Sequence, residues 1–402
     1  MRIPRSKRAA ARERADGPVR GRRRSPGVWL ATAAVLAAGA SAVPFVMADA
    51  QATGARNCLN GTLSYEHHDA EAGPEKPVVA LPARRANWEL WGATSPDGKP
   101  EKLATGLTDA KDGTFAACHD GSLHQASVRF RSSSAELWRV VKNWDDESEY
   151  TFDSERVEEV SGEQDLGTVQ VPEEMARAFS VVDTLNILYD KRGTDSPCFT
   201  RHQGEGECET LTVAWGRDNE EGGYWDHPSN SDDESHGTDF VLLNADMPDS
   251  RHLVLHEAGH WFQWQLHGKW WPEVTGCNPH YFERESSPTC AWTEGFADAV
   301  AAHTLGDYRW VYENGDSFDF TNDETTEGWD KGDSVQARVS TSLLDLWAED
   351  GPDGGDWDAT LQLMTEQRSS TFEEYFTEGR PTVPLPVDGD AKKIINKHTI
   401  DY

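Results

Sequence analysis

The spacing of apolar positions divides the chain into a first part with a period of two and a second part with a period of three to four. Between residues 58 and 145 the short runs VVALP, NWELWGA, TFAAC and ASVRFRS alternate apolar with polar positions, and clusters such as SPDGKP and KDG separate them. A period of two sends successive side chains to opposite faces of a strand, so these runs predict a small antiparallel β-sandwich over residues 51–150. From about residue 165 the spacing lengthens. Met175, Phe179, Val182, Leu185 and Leu188 predict a helix in EEMARAFSVVDTLNILYDKRG. TLTVAWG and TDFVLLNAD read as strands. DSRHLVLHEAGHWFQWQLHG reads as a helix capped by Asp249 or Ser250, and TCAWTEGFADAVAAHTLGD as another. SVQARVSTSLLDLWAED and ATLQLMTEQRSSTFEEYFTEG complete a helical half over residues 165–380, and residues 381–402, with three prolines, predict an extended tail. Strands first and helices later make the expected class α+β.

The first fifty residues belong to neither part. A dense Arg and Lys run leads into VWLATAAVLAAGASAV, an apolar stretch of sixteen residues, shorter than the roughly 20 residues a bilayer span needs. Ala48 and Ala50 supply a small-x-small cleavage pattern, so residues 1–50 read as a secretory signal peptide, with an uncleaved membrane anchor as the alternative. The chain has 38 basic and 70 acidic residues; ten and three of these lie in the first fifty, which leaves 28 against 67. Such a surface repels nucleic acid and anionic membranes, and it fits a soluble exported protein without stable membrane insertion once the signal is cut. The oligomeric state is not encoded in any pattern visible here. All six cysteines follow the signal segment, and an even number in an exported chain predicts three disulfides. Nearest-neighbour pairing gives Cys58–Cys118, Cys198–Cys208 and Cys277–Cys290, one of fifteen formal arrangements. No C-x-x-C occurs, which argues against zinc-ribbon or thioredoxin-type chemistry.

The candidate chemistry lies in HEAGH, residues 256–260. His256 and His260 stand four apart, so on a helix both imidazoles project from one face, and Glu257 sits where it reaches a metal-activated water without ligating. Zinc needs a third protein ligand. His267 is seven residues past His260, which at ~1.5 Å rise per residue is ~10 Å away. A histidine-ligated metzincin would have Gly at 263 and His at 266, where this chain has Gln263 and Leu266. Glu294, 34 residues past His260 in a second predicted helix, is the better third ligand. Asp298, one turn on, is placed to accept the N–H of a ligating histidine.

H-E-x-x-H followed on the next helix by E-x-x-x-D resembles the gluzincin metallopeptidases, the thermolysin-like clan. That resemblance implies one catalytic zinc held by His256, His260 and Glu294, Glu257 as general base, Asp298 orienting a histidine, and a peptide or protein substrate. Thr293 stands where that clan commonly has Asn, and the loop between the helices is longer, so substrate preference is not carried over. The stretch WELWGATSPDGKPEKLATGLTDAKDGTFAAC resembles the transthyretin-like, or carboxypeptidase regulatory-like, β-sandwich family. Nothing in the sandwich suggests catalysis; substrate or surface binding, a removable pro-segment or a spacer are its open roles.

The Cys277–Cys290 bridge would close the loop between the two metal-binding helices, worth roughly 3 kcal/mol in loop-closure entropy. Candidates for stabilising an oxyanion are Tyr281, Tyr308, Tyr312 and Arg338; His303 falls on the opposite face of its helix from Glu294. Most of Trp261, Trp264, Trp270, Trp271 and Trp292 read as packing. The acidic loops SDDESHGTD and DGPDGGDWD lack a calcium-loop pattern, so calcium has no support and both read as solvated. Gly332-Asp333-Ser334-Val335 has no following D-x-x-H and does not read as an esterase site. The expected function is a secreted zinc peptidase. The rival is a noncatalytic binding protein with a structural or vestigial zinc site, and Glu257, which such a site does not need, separates the two.

Overall fold

The computed structural model describes residues 55–402 except 144, 194–195, 205 and 229–238. The expected signal segment and the loop SDDESHGTD up to Thr238 lie outside these residues. The three disulfides are the nearest-neighbour pairs Cys58–Cys118, Cys198–Cys208 and Cys277–Cys290. No helix among the described residues is long and apolar enough to cross a membrane.

Alternation in the first part produces two sheets that share one core. In one, strand Arg56–His68 is flanked by Val78–Pro82, Thr114–Asp120 and Glu163–Gln170. In the other, Leu123–Arg131 pairs with Asn87–Ala93, Thr151–Asp153 and Val157–Val160, and Glu101–Leu107 lies on the outer side of Asn87–Ala93. Leu59, Leu63 and Tyr65 of the first sheet pack with Trp88, Leu90, Val128 and Phe130 of the second. The Cys58–Cys118 bridge joins register partners on adjacent strands.

Two expectations are corrected here. The sandwich is not wholly antiparallel, because Glu163–Gln170 pairs in parallel with Arg56–His68. That strand is largely exposed on its outer face and carries few apolar residues, so its sequence gave no alternating signal. The sandwich also extends past residue 150, to Gln170, whereas Ser133–Ser134 and Trp138–Val141 leave it for a third sheet. Trp138, Val140 and Val141 are fully buried, which the outer strands of a small sandwich do not offer.

The third sheet runs in the order Tyr224–Asp226, Phe240–Leu243, Leu211–Trp215, Trp138–Val141, Ser133–Ser134. Its three central strands are parallel and its two edges antiparallel. Every residue of Leu211–Trp215 and Phe240–Leu243 is buried, the pattern of strands covered on both faces. Helix α1 (Ala176–Asp190) and helix α2 (Arg251–Leu266) share a core with this sheet. The Ser250 side chain caps α2, accepting from the Leu253 N–H at 3.2 Å, and so resolves the choice between Asp249 and Ser250. Helix α3 (Pro288–Leu305) packs between α2 and α4 (Gln336–Trp347), and α5 (Asp358–Glu366) follows. The expected extended tail is also corrected: it carries α6 (Asp390–Lys397), with Ala391, Ile395 and Ile400 buried. The i, i+4 pair Ala391 and Ile395 gives this short helix its apolar face.

The two parts are joined by buried charge. Asp183 of α1 accepts from Arg84 Nε at 2.5 Å and Nη2 at 2.7 Å and from the Tyr65 hydroxyl at 3.0 Å, binding the sandwich to the helical core.

Candidate metal centre

Every residue of α2 except Arg251 is buried, so the helix has no solvent face on which polar side chains belong. His256, Glu257 and His260 are nevertheless 6 %, 5 % and 8 % exposed, and a buried polar group needs a partner or a purpose. Part of the answer comes from α3. The Ser287 side chain caps this helix at the Cys290 N–H, and Pro288 stands at its first turn. Glu294 Oε2 then lies 3.3 Å from His256 Nε2 and 3.4 Å from His260 Nε2, and the two Nε2 atoms are 3.2 Å apart.

That triangle has a specific size. Ligand atoms at ~2.0–2.1 Å from a tetrahedral ion are about 3.3 Å from one another, so the three donor atoms match the spacing that zinc requires. The donor chemistry, two imidazole nitrogens and one carboxylate oxygen, suits the same ion. His256 Nδ1 lies 2.9 Å from Asp298 Oδ1, and Asp298 Oδ2 accepts from Gln336 Nε2 at 2.8 Å. A carboxylate at Nδ1 keeps the proton on that nitrogen and leaves Nε2 bare toward Glu294.

Burial pushes the Glu257 carboxyl up, against the pull of His256 and His260. Burial acts on Glu294 in the same sense, but there the His260 and His256 imidazoles outweigh it and hold the carboxyl well below the usual range. The two glutamates are thus driven apart, one carboxyl raised and the other lowered. Among the described residues, no donor hydrogen-bonds the Glu257 carboxylate.

The site opens into a cleft of about 570 Å³ that Trp225, Trp271, Trp310, Tyr312 and Phe282 line with apolar surface. A larger hollow of about 1080 Å³ near Arg139, Glu147 and Tyr189 shares no residue with it and contains no comparable convergence of ligands. The antiparallel edge strand Tyr224–Asp226 forms one wall of the cleft.

The other expected candidates fall in different places. His267 lies at the C-terminal end of α2, buried away from the cleft, where burial holds its imidazole at about 3. His303 packs against Trp347 and Trp357. Arg338 is buried and donates to Asn322 and to the carbonyls of Asp323 and Asp330. Tyr281 and Tyr308 are exposed and do not line the cleft; Tyr312 does. Trp261, Trp264 and Trp292 belong to the core, whereas Trp271 faces the site. Asp333 accepts from the Tyr402 hydroxyl at 2.7 Å, and the Ser334 carbonyl accepts from the Ser286 N–H at 2.8 Å, both structural contacts.

Sequence reasoning missed His280. Its Nδ1 is 2.8 Å from the Cys277 carbonyl, which can only accept, and its Nε2 is 3.5 Å from Glu294 Oε2. The available signal was its place three residues after Cys277, inside a loop that the disulfide returns to the start of the glutamate helix.

Comparison with known families gives two matches. Residues 58–178 match the mycolysin middle domain and residues 192–399 match the mycolysin C-terminal domain, the latter covering the helical half with HEAGH and Glu294. No curated protein and no solved structure matches the chain.

Proposed function

The chain belongs to the mycolysin family, whose domains mark a peptidase, and from this we propose that it is a secreted zinc-dependent peptidase of gluzincin type. In this reading His256, His260 and Glu294 hold the ion, Glu257 is the general base, and Asp298 orients His256. The observation that carries it is the triangle of Nε2, Nε2 and Oε2 atoms at 3.2–3.4 Å with an unpartnered buried carboxylate beside it. A purely structural site has no use for Glu257, which weighs against the noncatalytic rival.

Zinc, when bound, supplies Lewis-acid activation of water and of the scissile carbonyl. The chain's own residues do the rest. Glu257, its carboxyl raised by burial, takes a proton from the attacking water and returns it to the leaving amine. Glu294 remains anionic and offsets the charge of the ion. The apolar cleft excludes bulk water from the polar chemistry. Edge strand Tyr224–Asp226 supports an extended peptide substrate, since backbone groups on a sheet edge can pair with an added strand. The three disulfides are consistent with export of the chain. The likeness of the sandwich to transthyretin-like domains remains part of this reading.

The test compares wild type with Glu257→Gln for bound zinc and for cleavage of a mixed peptide library. Glu257→Gln is expected to keep its metal and lose activity by at least about 10²-fold. Wild-type protein that holds metal at this centre and cleaves nothing in the library would sink the enzymatic reading.

A further inference from the structure

We propose that His67, Asp69 and Glu71 form a second, structural site for a divalent cation of the zinc type, at the seam between the sandwich and the active-site helix. The imidazole and two carboxylates offer donor atoms within 4.8 Å of one another. His67, near the end of strand Arg56–His68, is 2 % exposed. Its Nδ1 lies 3.0 Å from Ser180 Oγ of α1, and the Ser180 hydroxyl donates to the Pro248 carbonyl at 3.4 Å. In the tautomer that a metal ligand requires, the Ser180 hydroxyl donates to the Pro248 carbonyl, its oxygen accepts the Nδ1 proton of His67, and Nε2 presents a bare lone pair.

That Nε2, Asp69 Oδ1 and Glu71 Oε2 are all buried and have no hydrogen-bond partner. Three acceptors gathered in one place repel one another unless a positive charge joins them. Arg251, whose own Nε lacks a partner, supplies one positive charge beside Glu71 and leaves the two carboxylates with a net negative charge. The arrangement of a buried histidine giving one N–H to a protein oxygen while its other nitrogen faces carboxylates is what a metal ligand requires. One imidazole and two carboxylates suit zinc and its neighbours better than calcium, which takes oxygen ligands alone. Two opposed ligands span about 4.2 Å around an ion with ~2.1 Å bonds. The partly exposed Asp69 and Glu71 side chains have room to close the small remainder.

The site would act on the catalytic helix directly. The other oxygen of Glu71 accepts from the Arg251 N–H at 2.7 Å and the His252 N–H at 3.3 Å, and lies 3.2 Å from His252 Nδ1. An ion here links the sandwich strand, α1 through Ser180, and the first turn of α2. The sandwich then becomes a fixed support of the peptidase half rather than a removable segment. This inference does not depend on the proposed catalytic reading.

The test strips the full chain with chelator, reloads it with zinc, and counts bound metal by mass spectrometry while thermal unfolding is followed. Wild type should hold two equivalents and the double variant His256→Ala/His260→Ala one, with zinc still raising the Tm of that variant. Adding Asp69→Asn, a mild change at a partly exposed turn residue, should remove the remaining equivalent and the zinc-dependent rise in Tm. His67→Gln should do the same, with circular dichroism reporting whether the fold is kept. A single equivalent in wild type that Asp69→Asn retains and His256→Ala/His260→Ala loses overturns this proposal and leaves the catalytic centre standing. Retention of the last ion in the triple variant overturns it as well.

Discussion

Asp298 is fully buried, and burial pushes its carboxyl up even as His256 and Gln336 pull it down. In the proposed reading, its contact with His256 Nδ1 keeps the other ring nitrogen bare for the ion. Asp298→Asn, which retains the shape but removes the charge, is expected to weaken zinc binding by about 10–100-fold. Chelator competition measures this directly, and unchanged affinity would mean that the carboxylate is merely packing. His280 acts at the same scale. With Nδ1 committed to the Cys277 carbonyl, Nε2 is the ring atom turned toward Glu294 and the cleft. If this ring faces the oxyanion of the substrate, His280→Ala lowers kcat by roughly 10–10³-fold with little effect on KM or bound metal. A change confined to KM would assign it to substrate binding instead.

The centre depends on how closely two helices approach. A Cβ on Gly259, within HEAGH, would meet Ala297 Cα at 2.9 Å, and one on Gly295 would meet the Gln336 carbonyl oxygen at 2.9 Å. Glycine is therefore needed at each face of α3 for the α2–α3–α4 stack to close. Gly259→Ala is expected to cost about 1–3 kcal/mol by overpacking and to move Glu294 away from the imidazoles. Denaturant unfolding and zinc affinity should fall together; loss of stability with unchanged affinity would show that α3 adjusts without moving Glu294. The geometry within a helix was the most legible part of the sequence, because it is local: spacing alone put His256 and His260 on one face, and the E-x-x-x-D pattern indicated which helix would meet them. What depends on docking left no such trace. The strands Val157–Val160 and Glu163–Gln170 are mostly exposed and carry little apolar alternation, so the sandwich was drawn too short. His280 reaches the cleft through a bridged loop with no period to read. His67, Asp69 and Glu71 acquire their burial from α1 and α2, more than a hundred residues further along the chain.

At the scale of the whole molecule, buried histidines set the response to acid. Burial holds His67, His227 and His303 at about 4 and His267 at about 3, all below the ordinary 6.5. Between pH 6.5 and 4 the unfolded chain therefore binds protons at these four positions that the folded chain refuses, and stability must fall as the pH drops through that window. Asp239 works in the opposite sense, because burial raises it to about 7 and the folded state keeps a proton that the unfolded state releases down to about 3.8. Glu257, Asp298 and Asp353, raised by burial, act in the same sense as Asp239. Glu71, Glu294 and Asp345 are held below the usual range despite burial by the imidazoles beside them and act with the four histidines, which therefore set the direction of the change. Relief of self-repulsion in a chain of net charge −32 also favours the folded state on acidification. The measurement therefore belongs at about 0.5 M salt, where screening shortens the reach of charge to a few ångström. Metal release by protonated ligands would add to the loss, so the chain is first stripped with chelator. The urea midpoint of the stripped protein should decline steadily from pH 6.5 to 4.5. A midpoint that holds level or rises would mean that these imidazoles take up protons in the folded state, and that the burial assigned to them does not persist in solution.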